Sequence, residues 1–208
     1  MRRRIVKEPE ERKNEILNAA ELLFAAKGFE SATVNDILAA VSIAKGTLYY
    51  YFKSKEDVLD ALIDRRIQEG INKANEISAS PLSPEQKLLA IIMAQKARNE
   101  TQKDFNSVLH ETDNAKMHQK ALTQCVIRLS PCLARVVEEG VSSGIFSTPF
   151  PAESAEILLA AALVLFDDDL FQWTEREKAG KIAAFQTVME RSLAAKTGSF
   201  ADFAKAFE

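Results

Sequence analysis

This sequence has few cysteines and no long apolar run. Its two cysteines, Cys125 and Cys132, stand seven residues apart in a helical pattern, which separates them by about 10 Å and excludes a disulfide within that helix. No apolar run approaches the roughly 20 residues that a membrane-spanning helix needs, and no apolar segment follows the basic N-terminus as it would in a signal peptide. We therefore expect a reduced, cytoplasmic protein without a membrane segment.

Patterns typical of catalysis or metal binding are missing as well. No Ser-His-Asp set, glycine-rich phosphate loop or pair of catalytic carboxylates stands out. His110 and His118, with Glu111 and Asp113 nearby, include no His-x-x-x-His or Glu-x-x-His pair that would place two metal ligands on adjacent helical turns. The sequence therefore predicts no enzyme, no metal site and no cofactor. For the cysteines, small buried apolar side chains are favoured over oxidation sensors.

Strand patterns are absent too, since apolar residues recur at helical spacing and no stretch sustains a period of two. The sequence predicts an all-α fold of about nine or ten helices. The first is expected from near Pro9 to Gly28, where a left-handed residue ends it, and Thr33 with Asp36 is a capping signature for the second. Pro131 is expected to kink or split the longest helix. The later helices are expected over residues 44–51, 55–78, 84–103, 105–113, 115–142, 151–173, 176–196 and 199–207.

One segment in the N-terminal third contains no acidic residue. No Asp or Glu lies between Asp36 and Glu56, whereas Lys45, Lys53 and Lys55 all fall in that window. The segment reads as two short helices joined by a tight turn, and the second helix carries hydrogen-bonding and aromatic side chains. A helix pair of this kind suits a DNA groove, so the sequence predicts a helix-turn-helix unit.

The second of these short helices is expected to have two distinct faces. Leu48 and Phe52 supply its buried contact, which leaves Tyr49 and Tyr50 free to face outward. Gly46 costs about 1 kcal/mol in a helix relative to Ala, and a close approach of the backbone to DNA would explain it. The alternative is that the tyrosines belong to the core or to an ordinary exposed surface.

The net charge of −3 is divided unevenly along the chain. Residues 1–55 hold ten Lys and Arg against seven Asp and Glu, and the remainder holds 17 against 23. The N-terminal part is thus mildly basic, as DNA binding favours, while ordinary solvated surfaces explain the acidic remainder. Arg2, Arg3 and Arg4 could form an arm that enters a minor groove, with a solvated terminus as the equal alternative.

Several motifs between residues 12 and 62 occur in the order and spacing of one known family. They are Ile16–Ala20 with Phe24, Gly28–Phe29, Thr33–Ile37, Val41–Phe52 with its Lys-Gly-Thr-Leu-Tyr-Tyr-Tyr-Phe run, and Lys55–Leu59. In these residues the chain resembles the DNA-binding domain of TetR-type (TetR/AcrR) transcriptional regulators. The resemblance implies an all-helical homodimer whose remaining two thirds bind a small-molecule inducer and form the dimer interface.

The resemblance also implies roles for single residues. It assigns the third helix to phosphates and base edges, and Thr33 and Lys55 to flanking phosphates, where Thr33 offers a hydroxyl and a helix N-terminus. Position 51, often His in the family, is Tyr51 here, so the operator sequence is not readable. The expected DNA-binding residues are Thr33, Lys45, Gly46, Thr47, Tyr49, Tyr50 and Lys55.

We expect residues 1–55 to form the DNA-binding domain, with a helix to about residue 78 as connector, and residues 56–208 to form the effector-binding and dimerisation domain. An apolar cavity is expected between the fourth helix and the helices at 84–142, because ligand sites are concave and sparsely polar. The alternative is that the same residues fill a core and bind nothing. The expected lining residues are Ile67, Ile92, Met93, Phe105, Leu109, Met117, Leu122, Val126, Leu129 and Phe166.

The last two long helices present more apolar surface than one small core can bury, which predicts a four-helix dimer seam. Asp167, Asp168 and Asp169 follow the first of them. One of these acids could face a cationic ligand or the seam, although a helix end with solvent-exposed acids is the favoured interpretation. The expected dimer residues are Leu158, Leu159, Ala162, Phe166, Ile182, Phe185 and Met189.

These observations together predict a ligand-responsive DNA-binding transcriptional regulator. We expect a repressor that binds a palindromic double-stranded operator as a homodimer and is released by a small apolar or amphipathic molecule. One alternative is an all-helical ligand carrier or enzyme without operator binding. Another is an activator or a co-regulator with a protein partner.

Overall fold

The computed structural model describes residues 8–101, 115–167 and 170–207 of the chain, with residues 96–101, 115–117 and 206 described as backbone alone. In these ranges the chain forms α-helices and one 3-10 helix and no strand, and no helix is long and apolar enough to cross a membrane. The elements are α1 Pro9–Lys27, α2 Val34–Val41, α3 Lys45–Tyr51, α4 Lys55–Ser78, α5 Pro84–Thr101, α6 Ala115–Ser142, α7 Pro151–Leu165, α8 Glu175–Ser192 and the 3-10 helix Ala201–Phe207.

The predicted all-α class is confirmed, with eight α-helices in the described ranges against the nine or ten expected. The helix predicted at 105–113 lies outside the described residues. The chain divides into two compact units, and the division falls inside α4, between Arg66 and Ile67. Unit 1 contains α1, α2, α3 and the first half of α4; unit 2 contains the second half of α4, α5, α6 from His118, α7, α8 and the 3-10 helix.

Unit 1 is built around a small apolar core. Ile16, Ala20 and Phe24 of α1 are fully buried, because a spacing of four residues places them on one helix face. Phe29 packs edge-on against Phe24, with ring centroids 5.2 Å apart. The other buried apolar residues of this core are Leu17, Ala32, Ile37, Leu48, Phe52, Val58, Leu59, Leu62 and Ile63.

A glycine ends α1 as predicted, but not in the predicted conformation. Gly28 has a φ of 78° and a ψ of 158°, a combination that residues with a Cβ rarely adopt. The φ is positive as expected, whereas the extended ψ lies outside the left-handed helical region. The amide of Gly28 still donates to the carbonyl oxygen of Phe24 at 2.9 Å. The chain therefore leaves α1 in an extended direction toward α2.

Two predictions about the long helices need correction. α6 continues through Pro131, which is exposed, as one helix, so of the predicted kink or split the split is wrong. α7 ends at Leu165 and not at residue 173. The carbonyl oxygen of Leu165 accepts a hydrogen bond from the indole of Trp173 at 3.2 Å, and Asp167 Oδ1 accepts one from the Leu170 amide at 3.1 Å. Such local bonds compete with the next helical turn.

Unit 2 has its own core, into which the 3-10 helix is packed. Phe200 and Phe203 are fully buried, and the ring of Phe203 lies 5.4 Å from that of Phe185. The buried carboxylate of Glu190 accepts hydrogen bonds from the amides of Gly198 at 2.9 Å and Phe200 at 3.4 Å. The segment after α8 is therefore held back against the unit by both apolar and polar contacts.

A polar contact also joins the second half of α4 to α6 inside unit 2. Asn75 Oδ1 of α4 lies 3.2 Å from Cys132 Sγ and 2.5 Å from Arg135 Nη2, both on α6. Cys132 is buried and Cys125 half-buried, and both pack in the core of unit 2. The sequence favoured small buried side chains at both positions, and this holds for Cys132 but only in part for Cys125.

Candidate nucleic-acid interface

The recognition helix predicted from sequence, α3, has a buried and an exposed face. Leu48 is fully buried, and Phe52 directly after the helix is buried beside it. On the other side Lys45 is exposed, Tyr49 is 43% exposed and Tyr50 is 79% exposed. The ammonium of Lys45 lies 5.7 Å from the centroid of the Tyr49 ring. The exposed face thus offers an ammonium and two phenol hydroxyls without an acidic neighbour in the helix.

Gly46 lies on the exposed side of α3. Apart from its chain neighbours and the backbone of its own helix, no described atom comes within 4 Å of a Cβ built on this residue. Glycine costs about 1 kcal/mol in a helix relative to Ala, and the packing of the chain itself gives no reason for that cost. Thr47, the remaining predicted residue of this helix, is half-buried.

Thr33 is exposed, but its hydroxyl is already used to cap α2. The hydroxyl accepts from the Asp36 amide at 3.1 Å, and both the hydroxyl and the amide of Thr33 donate to Asp36 Oδ2 at 2.9 Å. Lys27 Nζ lies 2.9 Å from Asp36 Oδ1. These contacts lower the pKa of Asp36 to about 2, with the hydrogen bond from Lys27 as the largest cause and those from Thr33 next.

Lys55, expected to contact a flanking phosphate, is directed at the turn between α1 and α2. Its ammonium donates to the carbonyl oxygens of Phe29 at 2.7 Å and Glu30 at 3.3 Å. The same nitrogen lies 4.1 Å from the centroid of the Phe29 ring. The side chain is half-buried, so Lys55 differs in its surroundings from the exposed Lys45.

Sequence patterns missed a charged cluster that joins α1 to α4 in unit 1. Arg65 donates to Asn18 Oδ1 at 2.7 Å and to Glu21, and Arg66 also donates to Glu21. The partners lie 44 to 47 residues apart in the chain, so no local motif could reveal the cluster. It fixes the first half of α4 to the helix that carries the unit 1 core.

The residues expected to line an effector cavity are only partly brought together. Phe105 and Leu109 lie outside the described residues, as does the side chain of Met117. Leu129 is buried, and Ile92 and Phe166 pack against the same unit 2 core. Of the others, Ile67 is buried, Leu122 and Val126 are half-buried, and Met93 is exposed.

A histidine–carboxylate pair lies in unit 2, where sequence favoured exposed acids. Asp167 Oδ2 stands 3.2 Å from His118 Nε2, and the two side chains are only 12% and 11% exposed. The expectation of a solvent-exposed acid is therefore wrong for Asp167, because a second helix covers it and supplies a partner. Asp168 and Asp169 lie outside the described residues.

The residues expected in the dimer seam fall into two groups. Ile182, Phe185 and Met189 are buried in the core of their own unit, while Leu158, Leu159, Ala162 and Phe166 are half-buried against it. The large exposed apolar side chains of the same two helices are Ile157 and Val164 on α7 and Val188 on α8. In the single chain these three are more exposed than the residues expected in the seam.

Two models of known protein families match separate parts of the chain. The family model described as "Bacterial regulatory proteins, tetR family" matches residues 16–62, which run from within α1 to the first turns of α4. The model described as "Tetracyclin repressor-like, C-terminal domain" matches residues 96–188, which reach into α8. The two matches do not overlap, and together they cover more than half of the chain.

Individual relatives carry related descriptions. The uncharacterized HTH-type transcriptional regulator YhgD of Bacillus subtilis is 24% identical over 170 residues, which cover 80% of this chain and 86% of the relative. The HTH-type transcriptional repressor KstR2 of Rhodococcus jostii is 37% identical over 81 residues, 39% of this chain and 40% of the relative.

Solved structures share the fold. SmeT, the repressor of the Stenotrophomonas maltophilia multidrug efflux pump SmeDEF, has a structure in complex with triclosan. That structure is 21% identical to this chain, with a TM-score of 0.62 over 91% of this chain and 94% of SmeT. Because one family model accounts for the helix-turn-helix and the other for the helices that follow, the chain belongs to the tetR family of bacterial regulatory proteins.

Proposed function

We propose that this DNA-binding transcriptional regulator represses transcription by placing α3 in the major groove of an operator. The observation that carries the proposal is the exposed face of α3, where Lys45, Tyr49 and Tyr50 stand opposite the fully buried Leu48. The ammonium would neutralise a phosphate, and the phenol hydroxyls would donate to phosphates or base edges. Gly46 would let the helix backbone approach the DNA closely, and Thr47 would add a hydroxyl at the rim.

A homodimer on a palindromic operator is part of the proposal. Two recognition helices must stand about 34–36 Å apart to enter successive major grooves, and a twofold axis is the simplest way to fix that distance. The exposed apolar residues Ile157, Val164 and Val188 of α7 and α8 support a seam between these helices and their copies. Such a protein would work in the cytoplasm, where the operator is.

The proposed signal is a small apolar or amphipathic molecule bound by unit 2. The related SmeT forms a complex with triclosan, and here Ile92, Leu129 and Phe166 share one apolar cluster. Because α4 runs from unit 1 into unit 2, a ligand that favours another position of its second half would alter the first half. Its effect is limited to the difference between its affinities for the two states.

Selection of bound fragments from a random DNA pool tests the proposal on the full chain. A palindromic sequence should emerge, and Lys45→Ala and Tyr49→Ala should each weaken its binding by about 1–3 kcal/mol. Lys196→Ala, an exposed lysine of unit 2, is the control and should bind as the unmodified chain does. Fluorescence anisotropy gives the affinities, and thermal melting shows whether the variants stay folded.

Two outcomes would count against this function. A pool that yields no enriched sequence would favour a ligand carrier without operator binding. Full operator affinity in the double Lys45→Ala, Tyr49→Ala variant would place the DNA contact elsewhere. Once an operator is known, molecules that raise the melting temperature should also release it, and a screen in which no stabilising molecule does so would favour a protein partner as the signal.

A further inference from the structure

Lys55 supports a second inference, which rests on the proposed function and concerns how the helix-turn-helix is held. Lys55 is the first residue of α4. Phe29 and Glu30, whose carbonyl oxygens accept from its ammonium at 2.7 and 3.3 Å, lie in the turn before α2. The contact therefore joins the two ends of the segment that contains both α2 and α3. It closes a stretch of 25 residues and so restricts how these helices can move together.

The chemistry around the ammonium matches a permanent contact within the protein. A lysine ammonium has three N–H donors, and two of them are directed at carbonyl oxygens of this turn. The nitrogen also lies 4.1 Å from the centroid of the buried Phe29 ring, a favourable position for a cation. An ammonium that turned to a phosphate would leave a part-buried carbonyl without its donor, which is unfavourable.

Other contacts hold the start of α2, which follows the same turn. Lys27, the last residue of α1, lies 2.9 Å from Asp36, and Asp36 forms the cap of α2 with Thr33. The place where α2 begins is thus held by α1 through Lys27 and by α4 through Lys55. Because α2 and α3 pack on each other, the start of α2 also determines where α3 lies.

We propose that Lys55 is a positioning residue for DNA recognition and not a phosphate contact. Its ammonium holds the turn between α1 and α2 to the start of α4, and through that turn it sets the orientation of α3. Loss of the ammonium leaves the basic face of α3 intact, so non-specific attraction to DNA persists. The ability to discriminate the operator from other DNA falls, because base contacts need the correct helix orientation.

The test uses three variants of the full chain. Lys55→Met keeps an unbranched apolar side chain and removes the ammonium, whereas Lys55→Arg keeps donors that can reach the carbonyls and stack on Phe29. Lys53→Met, an exposed lysine two residues earlier, is the matched control for the loss of one positive charge. Affinities for the selected operator and for a scrambled duplex are measured over a range of salt concentrations.

We expect Lys55→Met to lower operator affinity by about tenfold while affinity for the scrambled duplex and the salt dependence stay unchanged. Lys55→Arg should restore most of the operator affinity. A parallel loss on both duplexes, with a slope of log K against log salt reduced by about 0.9, would show a phosphate contact and overturn the proposal. Unchanged operator affinity of Lys55→Met would overturn the proposal too. This holds even if the melting temperature of the variant is lower, provided that affinity is measured below its unfolding transition.

Amide hydrogen exchange on the DNA-free chain tests the positioning role of Lys55 independently of whether the chain binds an operator. Lys55→Met should speed exchange at residues 29–37, but not in the first half of α1. If the unmodified chain selects no DNA, the proposed function fails, while exchange still shows whether Lys55 holds the turn. Equal exchange in Lys55→Met and the unmodified chain would overturn the positioning role.

Discussion

Two helical glycines of this chain have opposite surroundings. A Cβ built on Gly46 of α3 meets no described atom within 4 Å, whereas one built on Gly140 of α6 would stand 2.1 Å from Cδ2 of Phe146. Helix propensity alone favours Ala over Gly by up to about 1 kcal/mol. The surroundings therefore decide which substitution the fold accepts, and any cost of a methyl group at Gly46 must arise outside the chain.

Gly46→Ala should separate folding from DNA binding. We expect the free energy of unfolding to be preserved or raised by up to about 1 kcal/mol, while operator affinity falls because the added methyl group holds the backbone away from DNA. Urea unfolding and fluorescence anisotropy measure the two effects. Operator affinity equal to that of the unmodified chain would show that α3 does not approach DNA at this residue.

Gly140→Ala should destabilise unit 2. The added methyl group cannot fit beside the ring of Phe146, and overpacking of this kind costs about 1–3 kcal/mol. Gly180→Ala is the matched control, since Gly180 is also helical and no described atom lies within 4 Å of its Cβ position. Urea unfolding compares the two variants. Equal stability would mean that Phe146 moves aside at no cost.

Residue-level prediction from sequence succeeded where the cause was local. The buried Leu48 and exposed Tyr50 follow from helical spacing within α3. The contact of Lys55 with Phe29 and the pair of His118 with Asp167 join distant parts of the chain. No spacing rule relates such partners, because only the fold brings them together.

Helix α2 begins at a capping box in which Asp36 is the central group. The pKa of this carboxyl is lowered to about 2 from an ordinary 3.8, so the folded state favours its charged form. Its stabilising contribution is fully present above the ordinary pKa and is lost as the pH falls through the folded one. The cap of α8, formed by Thr174 and Glu177, follows the same rule, since hydrogen bonds from Thr174 lower the pKa of Glu177.

Acid should therefore weaken the cap of α2 in a defined range. We expect Asp36→Asn to unfold more easily than the unmodified chain near neutral pH, and the difference to shrink between about pH 4 and about pH 2. Urea unfolding over this range measures the difference. In Lys27→Met, which removes the largest cause of the lowered pKa, an NMR titration of Asp36 should show a higher pKa. A difference that stays constant with pH would contradict this account.

At the element scale, the sequence predicted α1 and α3 to within a residue and missed the end of α7. Gly28 and the Thr33–Asp36 cap are signals carried by residues close together in the sequence. They mark the end of α1 and the start of α2, as predicted. α7 stops at Leu165 in a run that continues apolar to Phe166. The indole of Trp173 donates to the carbonyl oxygen of Leu165, which requires the chain to turn back after α7. Helical periodicity alone does not predict that turn, so it extends the helix too far.

For the molecule as a whole, the surfaces of α7 and α8 are the most informative feature. Ile157, Ala161 and Val164 are exposed at positions i, i+4 and i+7 of α7, and Val188 is exposed on α8. This spacing places the three α7 residues on one face, away from the half-buried Leu158 and Leu159. Exposed apolar faces of this kind typically mark sites of association.

If the proposed dimer forms through this face, charge on it should yield a monomer. We expect the double variant Ile157→Glu, Val188→Glu to sediment as a monomer with a preserved helical spectrum, because two carboxylates would be buried in the seam without partners. Operator affinity of the monomeric variant should fall, since the two α3 helices would no longer be linked. Leu22→Glu, at an exposed apolar residue of unit 1, is the control. A double variant that remains dimeric would place the interface elsewhere.

The contact of Asn75 with Cys132 and Arg135 gives the chain a natural chemical reporter. The thiol of Cys132 is buried where the second half of α4 meets α6, so an alkylating reagent reaches it only when that region opens. Cys125, half-buried on the same helix, is the internal reference for reagent access. The rate of alkylation at Cys132 with and without a candidate ligand would therefore test the proposed movement of α4, in the unlabelled protein and without an engineered probe.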